Sequence, residues 1–514
     1  MRQHLLNSLL LCAALGGCAV GPDYQTPDIK MPGDFAAKPA ADAAKDKPVI
    51  DAAEWWKALG DDELNSLIDR AISGNPGLDI ALTHLQEARQ QEAVVLGGAL
   101  PEVGASAAAG RGTGSDLTKG NAATPLRAGD FTTGGPVTQI YGFDAAWELD
   151  LFGKYRREIE AAGYNTQAAA AARNEVLITL IADVVRSYID MRGLQMQQAV
   201  LKQNIDTLKQ YVDVVQQRFD RGITNELDVS LAKRQLATLQ AQAAPLSAQI
   251  QAPVSAIAAL LGEFPEKLGA ELEKPGTIPS LPEQLNTGVP VDLLKNRPDI
   301  QEAERGLASA TAQVGVAEAD LFPHIALTGG AGYQGQGLGT PVRSFIWSFG
   351  PSVGAPILDF GTLDALVNIA DLHTHAMLMS YKQTIIGAVA DVDNATSAYT
   401  AQQDRLKNLN DALTASQRAV DLASQRYDRG LTDMLNVIDA QRQQFELEQQ
   451  YVIAQQTAAE QFIALYKALG SGWQQYQTIP PIRQPQPALI AALTRTLVES
   501  HSMLPETAAE SIKP

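Results

Sequence analysis

The sequence predicts a mainly α-helical chain that also supplies a few strands to a membrane β-barrel. Three observations carry this expectation: an internal duplication, two proline-free stretches far longer than globular helices, and four short alternating segments at matching places in the two halves. The chain has 514 residues, with 40 basic and 58 acidic side chains and a net charge of −18. Such acidity argues against nucleic acid or an anionic lipid surface as a partner.

At the start, Arg2 precedes an apolar stretch from Leu9 to Leu15 and then Leu15-Gly16-Gly17-Cys18. The stretch is too short for a membrane helix of about 20 residues, and it reads as a cleaved signal over residues 1–17. The pattern is similar to the bacterial lipoprotein signal, which implies a covalent lipid on Cys18, N-acyl and S-diacylglycerol. By the same resemblance Ala19, rather than Asp, after that cysteine favours the outer membrane. Removal of the signal also removes Cys12, which leaves no partner for a disulfide. After the signal no apolar run is expected to reach the length of a membrane helix, so further insertion would have to be β-barrel.

The duplication is read directly. Gln217-Arg218-Phe219-Asp220-Arg221-Gly222-Ile223-Thr224 recurs 208 residues later as Gln425-Arg426-Tyr427-Asp428-Arg429-Gly430-Leu431-Thr432. The match continues through Leu227/Leu435, Val229/Val437, Ala232/Ala440 and Arg234/Arg442, and the stretch Pro76 to Pro101 matches Pro298 to Pro323. Asp150-Leu151-Phe152-Gly153 corresponds to Asp359-Phe360-Gly361. The chain therefore divides into residues 18–74, a lipidated tether with a short helix; 75–265, a first repeat; 266–296, a linker; 297–472, a second repeat; and 473–514, a C-terminal extension.

Each repeat reads helix, two strands, very long helix, tight turn, helix. The first helices, about 76–98 and 298–320, stop before Pro101 and Pro323. Strands follow at 103–112 with 137–151 and at 325–333 with 345–358, where aromatics alternate with small and polar residues and Gly-rich loops connect them. That is the weak signature of membrane strands, and a soluble hairpin would alternate equally well. Residues 154–221 and 362–429 contain no proline, and as helices they would be rods about 100 Å long. The returns, 226–261 and 433–469, would each stack end to end with a first helix to match a rod. Apolar spacing at Val176, Leu180, Val184, Tyr188 and Met191 supports packed helices, as it would in a plain coiled-coil stalk.

Four strands leave two open edges, and unpaired N–H and C=O groups cannot face lipid. The chain must therefore associate, and three copies would close an even-numbered barrel of 12 strands above a hollow helical cylinder.

Nearly the whole chain after the signal resembles the outer-membrane efflux factors of the TolC and OprM type, among them NodT-like lipoproteins. The matching stretches are Gly21-Pro22-Asp23-Tyr24, Trp55-Trp56 with Asp61 and Leu64, Asn75-Pro76, Arg297-Pro298-Asp299-Ile300 with Glu304 and Ala310, Phe322-Pro323, Trp347-Ser348-Phe349-Gly350-Pro351, and Tyr427-Asp428-Arg429-Gly430 leading to Val437-Ile438-Asp439-Ala440-Gln441. The resemblance implies a homotrimeric barrel in the outer membrane joined to a long periplasmic helical tunnel with a short equatorial helix. It implies an exit duct for drugs or other small toxic compounds, gripped by a periplasmic adaptor and fed by an inner-membrane transporter of the RND type. An exit duct for secreted polypeptides and a non-conducting coiled-coil scaffold remain alternatives.

The repeated turns then acquire roles. Gly222 and Gly430 sit where a helical hairpin must reverse, a position that favours glycine. In the family these turns form the tip gripped by the adaptor, so Arg218, Gly222, Arg426 and Gly430 are candidate contacts. The family places two inward acids one turn apart at the pore constriction, and the matching positions are Asn436 and Asp439, so only one carboxylate ring would be kept. Asp228 and Tyr427 match positions that hold the helix ends closed in relatives.

No enzyme is expected, and no cofactor besides the lipid. Gly350-Pro351-Ser352-Val353-Gly354 fits a nucleophile elbow in letters, yet it carries an internal proline and reads as a strand. His373 and His375 are two apart on a helix, unlike the i, i+4 pair of a zinc helix. Gly335-x-Gly337-x-Gly339 lacks the strand before and helix after of a dinucleotide loop, and is expected to be an external loop. Residues 36–47 read as an extended tether.

Overall fold

The computed structural model describes residues 19–29, 51–111, 137–282, 297–336 and 344–476. The signal, Cys18, the 36–47 tether and everything beyond 476 lie outside them. Met1–Trp473 forms one unit; Gln474–Pro514 forms a second, of which only the 3-10 turn Gln474–Tyr476 is described.

The first unit opens with a 3-10 helix, Ala52–Leu59, and α1, Asp62–Gly74. Asp61 starts α1 by accepting the Leu64 N–H at 3.0 Å. Trp55 and Trp56 are buried, and Trp55 stacks on Tyr466 with ring centroids 5.5 Å apart. Helix α2, Pro76–Gly98, begins with Asn75 accepting the Leu78 N–H at 2.8 Å and with proline in its first turn. Strands β1, Glu102–Arg111, and β2, Val137–Leu149, lead into α3, Lys154–Asp220, which returns as α4, Glu226–Leu261. The second repeat runs through α6, Pro298–Ala319, β3, His324–Gln336, β4, Ser344–Gly354, α7, Thr362–Asp428, and α8, Met434–Ala468. Between the repeats lies α5, Pro265–Leu272, where the sequence reading has only a linker; buried Leu268 and Leu272 anchor this helix.

The rods α3 and α7 have 67 residues each, about 100 Å at 1.5 Å per residue. Each starts after a left-handed glycine, Gly153 (φ 87°) or Gly361 (φ 80°). An aspartate caps each rod as well: Asp150 accepts the Arg156 N–H at 3.0 Å, and Asp359 accepts the Leu363 N–H at 2.8 Å. Helix α3 packs against α1, α2, α4, α6 and α8, and α7 packs against α6 and α8. One expectation is corrected: by length and composition α4 is apolar enough to cross a membrane. A stripe of Val229, Ala232, Leu239, Val254, Ile257 and Leu261 on it is buried in helix packing.

The four strands form one antiparallel sheet in the order β1-β2-β3-β4, so the two repeats meet at the β2–β3 pair. Register supplies what alternation alone could not. Tyr141 lies opposite Tyr333, which lies opposite Phe345, and Trp147 opposite Leu327, so the aromatic side chains share one face. The other face carries Ser106, Gly142, Asp144, Gly332, Thr328 and Ser348. Phe143, Trp347 and Phe349 are about 70% exposed on the apolar face. Strands of 10 to 13 residues with this division match membrane strands facing lipid outside and water inside. The Gly335 expectation is also corrected, since Gly335 pairs with Gln139 inside β3; residues 337–343 lie outside the described ones.

Four carboxyls in the helical part sit above the usual carboxylate range. Burial is the main cause for Glu158, Glu175, Glu302 and Glu460, and at Glu460 a hydrogen bond donated to the nearby Asp190 carboxylate adds to it while Arg186 opposes it. An acid raised in the folded state stabilises fully below its unfolded pKa, and that stability is lost as pH rises through the folded value. The melting temperature of the helices is therefore expected to rise as pH falls from 8 toward 5, and Glu460→Gln should flatten part of that slope in a circular-dichroism melt. Asp359 works in the opposite sense, because backbone N–H donors hold its carboxyl low, so its contribution is lost only in stronger acid.

Candidate functional site at the hairpin tip

Both helical hairpins reverse through the same backbone device. The Ile223 N–H bonds the Arg218 carbonyl at 2.8 Å while Gly222 takes φ 71°; the Leu431 N–H bonds the Arg426 carbonyl at 2.8 Å while Gly430 takes φ 70°. Space around both glycines is open, so the positive φ alone selects them. Past the turns the repeats share a second contact. The Thr224 hydroxyl donates to Asp228, and the Asn436 amide donates to the Thr432 hydroxyl at 2.8 Å. Asp228 and Asn436 are thus the same repeat position, each holding the threonine four residues before it, and the Asp228 N–H is in turn capped by Asn225 at 3.1 Å.

The two hairpins of one chain meet at Tyr427, which is buried with Val215, Val229, Ala232, Met434, Val437 and Ile438. The Arg218 guanidinium lies over the Tyr427 ring, 4.6 Å from its centroid, and reaches Asp428 at 3.3 Å. Arg218 is therefore engaged across the repeats, whereas Arg426, Gly222 and Gly430 are exposed for an external contact. The Tyr427 hydroxyl is buried and, among the described residues, finds no hydrogen-bond partner. What the tip uses of this side chain is its ring. Tyr427→Phe should leave closure intact and stabilise the tip by up to about 1–3 kcal/mol, whereas Tyr427→Ala should loosen it, measured as channel opening and melting temperature.

Asn436 and Asp439 lie one turn apart and are both exposed on α8. Asp439 accepts from Arg442 at 3.1 Å and from Gln443 at 2.8 Å, and Arg442 comes within 3.9 Å of Glu446. The acid at the expected constriction thus carries a counter-charge one turn away. Sequence reading gave Arg442, Gln443 and Asp428 no role at the site, although the i+3 and i+4 spacing after Asp439 signals the first two. His373 and His375 are both exposed on α7, and no cluster of three metal-binding side chains occurs among the described residues.

Comparison with known proteins agrees with this arrangement. The sequence profile of the family described as "Outer membrane efflux protein" matches residues 67–263 and 289–471. The chain is 30% identical to nodulation protein T of Rhizobium leguminosarum bv. viciae over 505 residues, covering 98% of this chain and all of that one. It is 30% identical to the probable efflux pump outer membrane protein TtgC of Pseudomonas putida over 482 residues, 92% of this chain and 96% of that one. Among solved structures, the outer-membrane channel OprN superimposes with a TM-score of 0.78 at 36% identity, over 89% of this chain and 100% of that one.

Proposed function

From a chain that belongs to the outer membrane efflux protein family, we infer the exit duct of a tripartite efflux pump, an outer-membrane channel that passes small toxic compounds outward. The register of the four-stranded sheet carries the reading. One face is aromatic and apolar and the other mostly small and polar, and both edge strands lack a neighbour among the described residues. Three copies would close 12 strands, and each copy would add its two hairpins to a periplasmic tube. The Cys18 lipid would anchor each copy in the same membrane. A periplasmic adaptor would grip the tip at Gly222 and Gly430, and an inner-membrane transporter of the RND type would select the cargo.

At the closed end, Asp439 would form a single ring of carboxylates, weakened by Arg442 and not doubled at Asn436. Single-channel recording of the purified protein in a planar bilayer tests this. Small, mildly cation-favouring openings are expected. Each ring contributes on the order of 1 kcal/mol, so Asp439→Ala should cut the cation preference roughly fivefold and Asn436→Asp should raise it similarly. No current from verified inserted protein would return the reading to a non-conducting scaffold. A secretion duct would instead show itself as a lost exoprotein, without drug or metal sensitivity, in a deletion strain.

A further inference from the structure

Around a ring of three chains the hairpins alternate, first repeat then second, so two kinds of seam alternate as well. One seam is visible within the chain, where α3 packs on α8 and Arg218 covers Tyr427 and reaches Asp428. The other joins the second repeat of one copy to the first repeat of the next. Because the hairpins are the same unit 208 residues apart, the visible seam is a template for the hidden one. Shifted by one repeat, Arg218 becomes Arg426, Tyr427 becomes Phe219, and Asp428 becomes Asp220.

Resting on the three-copy reading above, we propose that Arg426 of each chain closes over the Phe219 ring of the neighbouring copy and pairs with that copy's Asp220. The residues are presented for this contact. Phe219 is 38% exposed where its counterpart Tyr427 is 8% exposed beneath Arg218, and Arg426 is exposed and makes no ion pair among the described residues. Among the described residues Asp220 is held only by the Gln216 side-chain amide of its own helix, at 3.0 Å.

The rest of this seam is chemically poorer than its template. Where the seam within the chain packs Leu231, Met434 and Ile438, the corresponding positions are Asp439, Glu226 and Ser230. Three apolar contributors have become two acids and a serine. The Arg426 contact is thus the anchor of the weaker seam, and the tip parts between copies while the two hairpins of one chain move together.

The test uses the full-length protein carrying Arg426→Cys together with Asp220→Cys, treated with a short bismaleimide and run on a denaturing gel beside the single-cysteine chains. A ladder of two and three linked chains is expected, whereas Arg218→Cys with Asp428→Cys should link within one chain and migrate as a monomer. Light scattering on the same detergent-solubilised sample reports the copy number separately. A protein that is not trimeric overturns the closure reading. A folded trimer whose control pair links while the Arg426 and Asp220 pair does not overturns this inference alone. As a second measurement, Arg426→Asp should raise the open fraction of single channels several-fold, and adding Asp220→Arg should return it to the natural value; failure of that rescue in a folded trimer also overturns the contact.

Discussion

Gly142→Val is expected to abolish the assembled barrel, with loss of outer-membrane yield and of any heat-modifiable oligomer on gels. A Cβ at Gly142 would lie 2.5 Å from the Ala331 carbonyl oxygen and 2.7 Å from the Gly332 Cα. Its cross-strand partner Gly332 is equally tight, with a Cβ meeting the Tyr141 carbonyl oxygen at 2.5 Å. These neighbours are backbone and cannot rotate aside, so β2 and β3 must separate and lose the ladder that joins the repeats. The cost should exceed about 4 kcal/mol, the range reached only by such specific disruptions. Gly350, in contrast, has open space for a Cβ, and Gly350→Ala should assemble normally. Normal assembly of Gly142→Val would mean the strands are paired in another register.

The second large effect is expected at Arg297→Leu. This side chain is about nine-tenths buried; it donates to Asp299 at 3.0 and 2.7 Å, to the Ala468 carbonyl at 2.5 Å, and to Asp391 at 3.4 Å. It thereby ties the start of α6 to the end of α8. Removing one partner of a buried pair leaves the others desolvated without compensation, typically about 3–5 kcal/mol. The melting temperature followed by helical circular dichroism should fall accordingly. Lys209→Leu, which removes a half-exposed pair with Asp206, should cost less than about 1 kcal/mol. Equal effects from the two substitutions would refute the role assigned to Arg297.

Helix boundaries were legible to within a residue or two because proline and glycine punctuate them: Pro101 and Pro323 stop the first helices, Gly153 and Gly361 open the rods, and Gly222 and Gly430 turn them. The sheet was legible only as four weakly alternating segments. Its decisive pairing, Gly142 with Gly332, joins residues far apart in the chain, and nothing local to either strand encodes it. The tip divides the same way. The duplication exposed both turns, and a helical spacing would have revealed the Asp439 and Arg442 pair. That Arg218 covers Tyr427 depends on which hairpins lie side by side, a property of tertiary packing that no single segment carries. The same limit hid α5, whose eight residues are held by two buried leucines rather than by a long periodic pattern.

The edges of β1 and β4, unpaired among the described residues, also set an order of events in time. A single chain cannot leave those N–H and C=O groups in hydrocarbon, so an isolated protomer has no stable residence in the bilayer core. Insertion must wait for encounter with other copies, which makes the folding yield depend on the local concentration of newly delivered chains. A lipid at the start of each chain would hold the waiting protomers on one surface and turn a search in three dimensions into one in two.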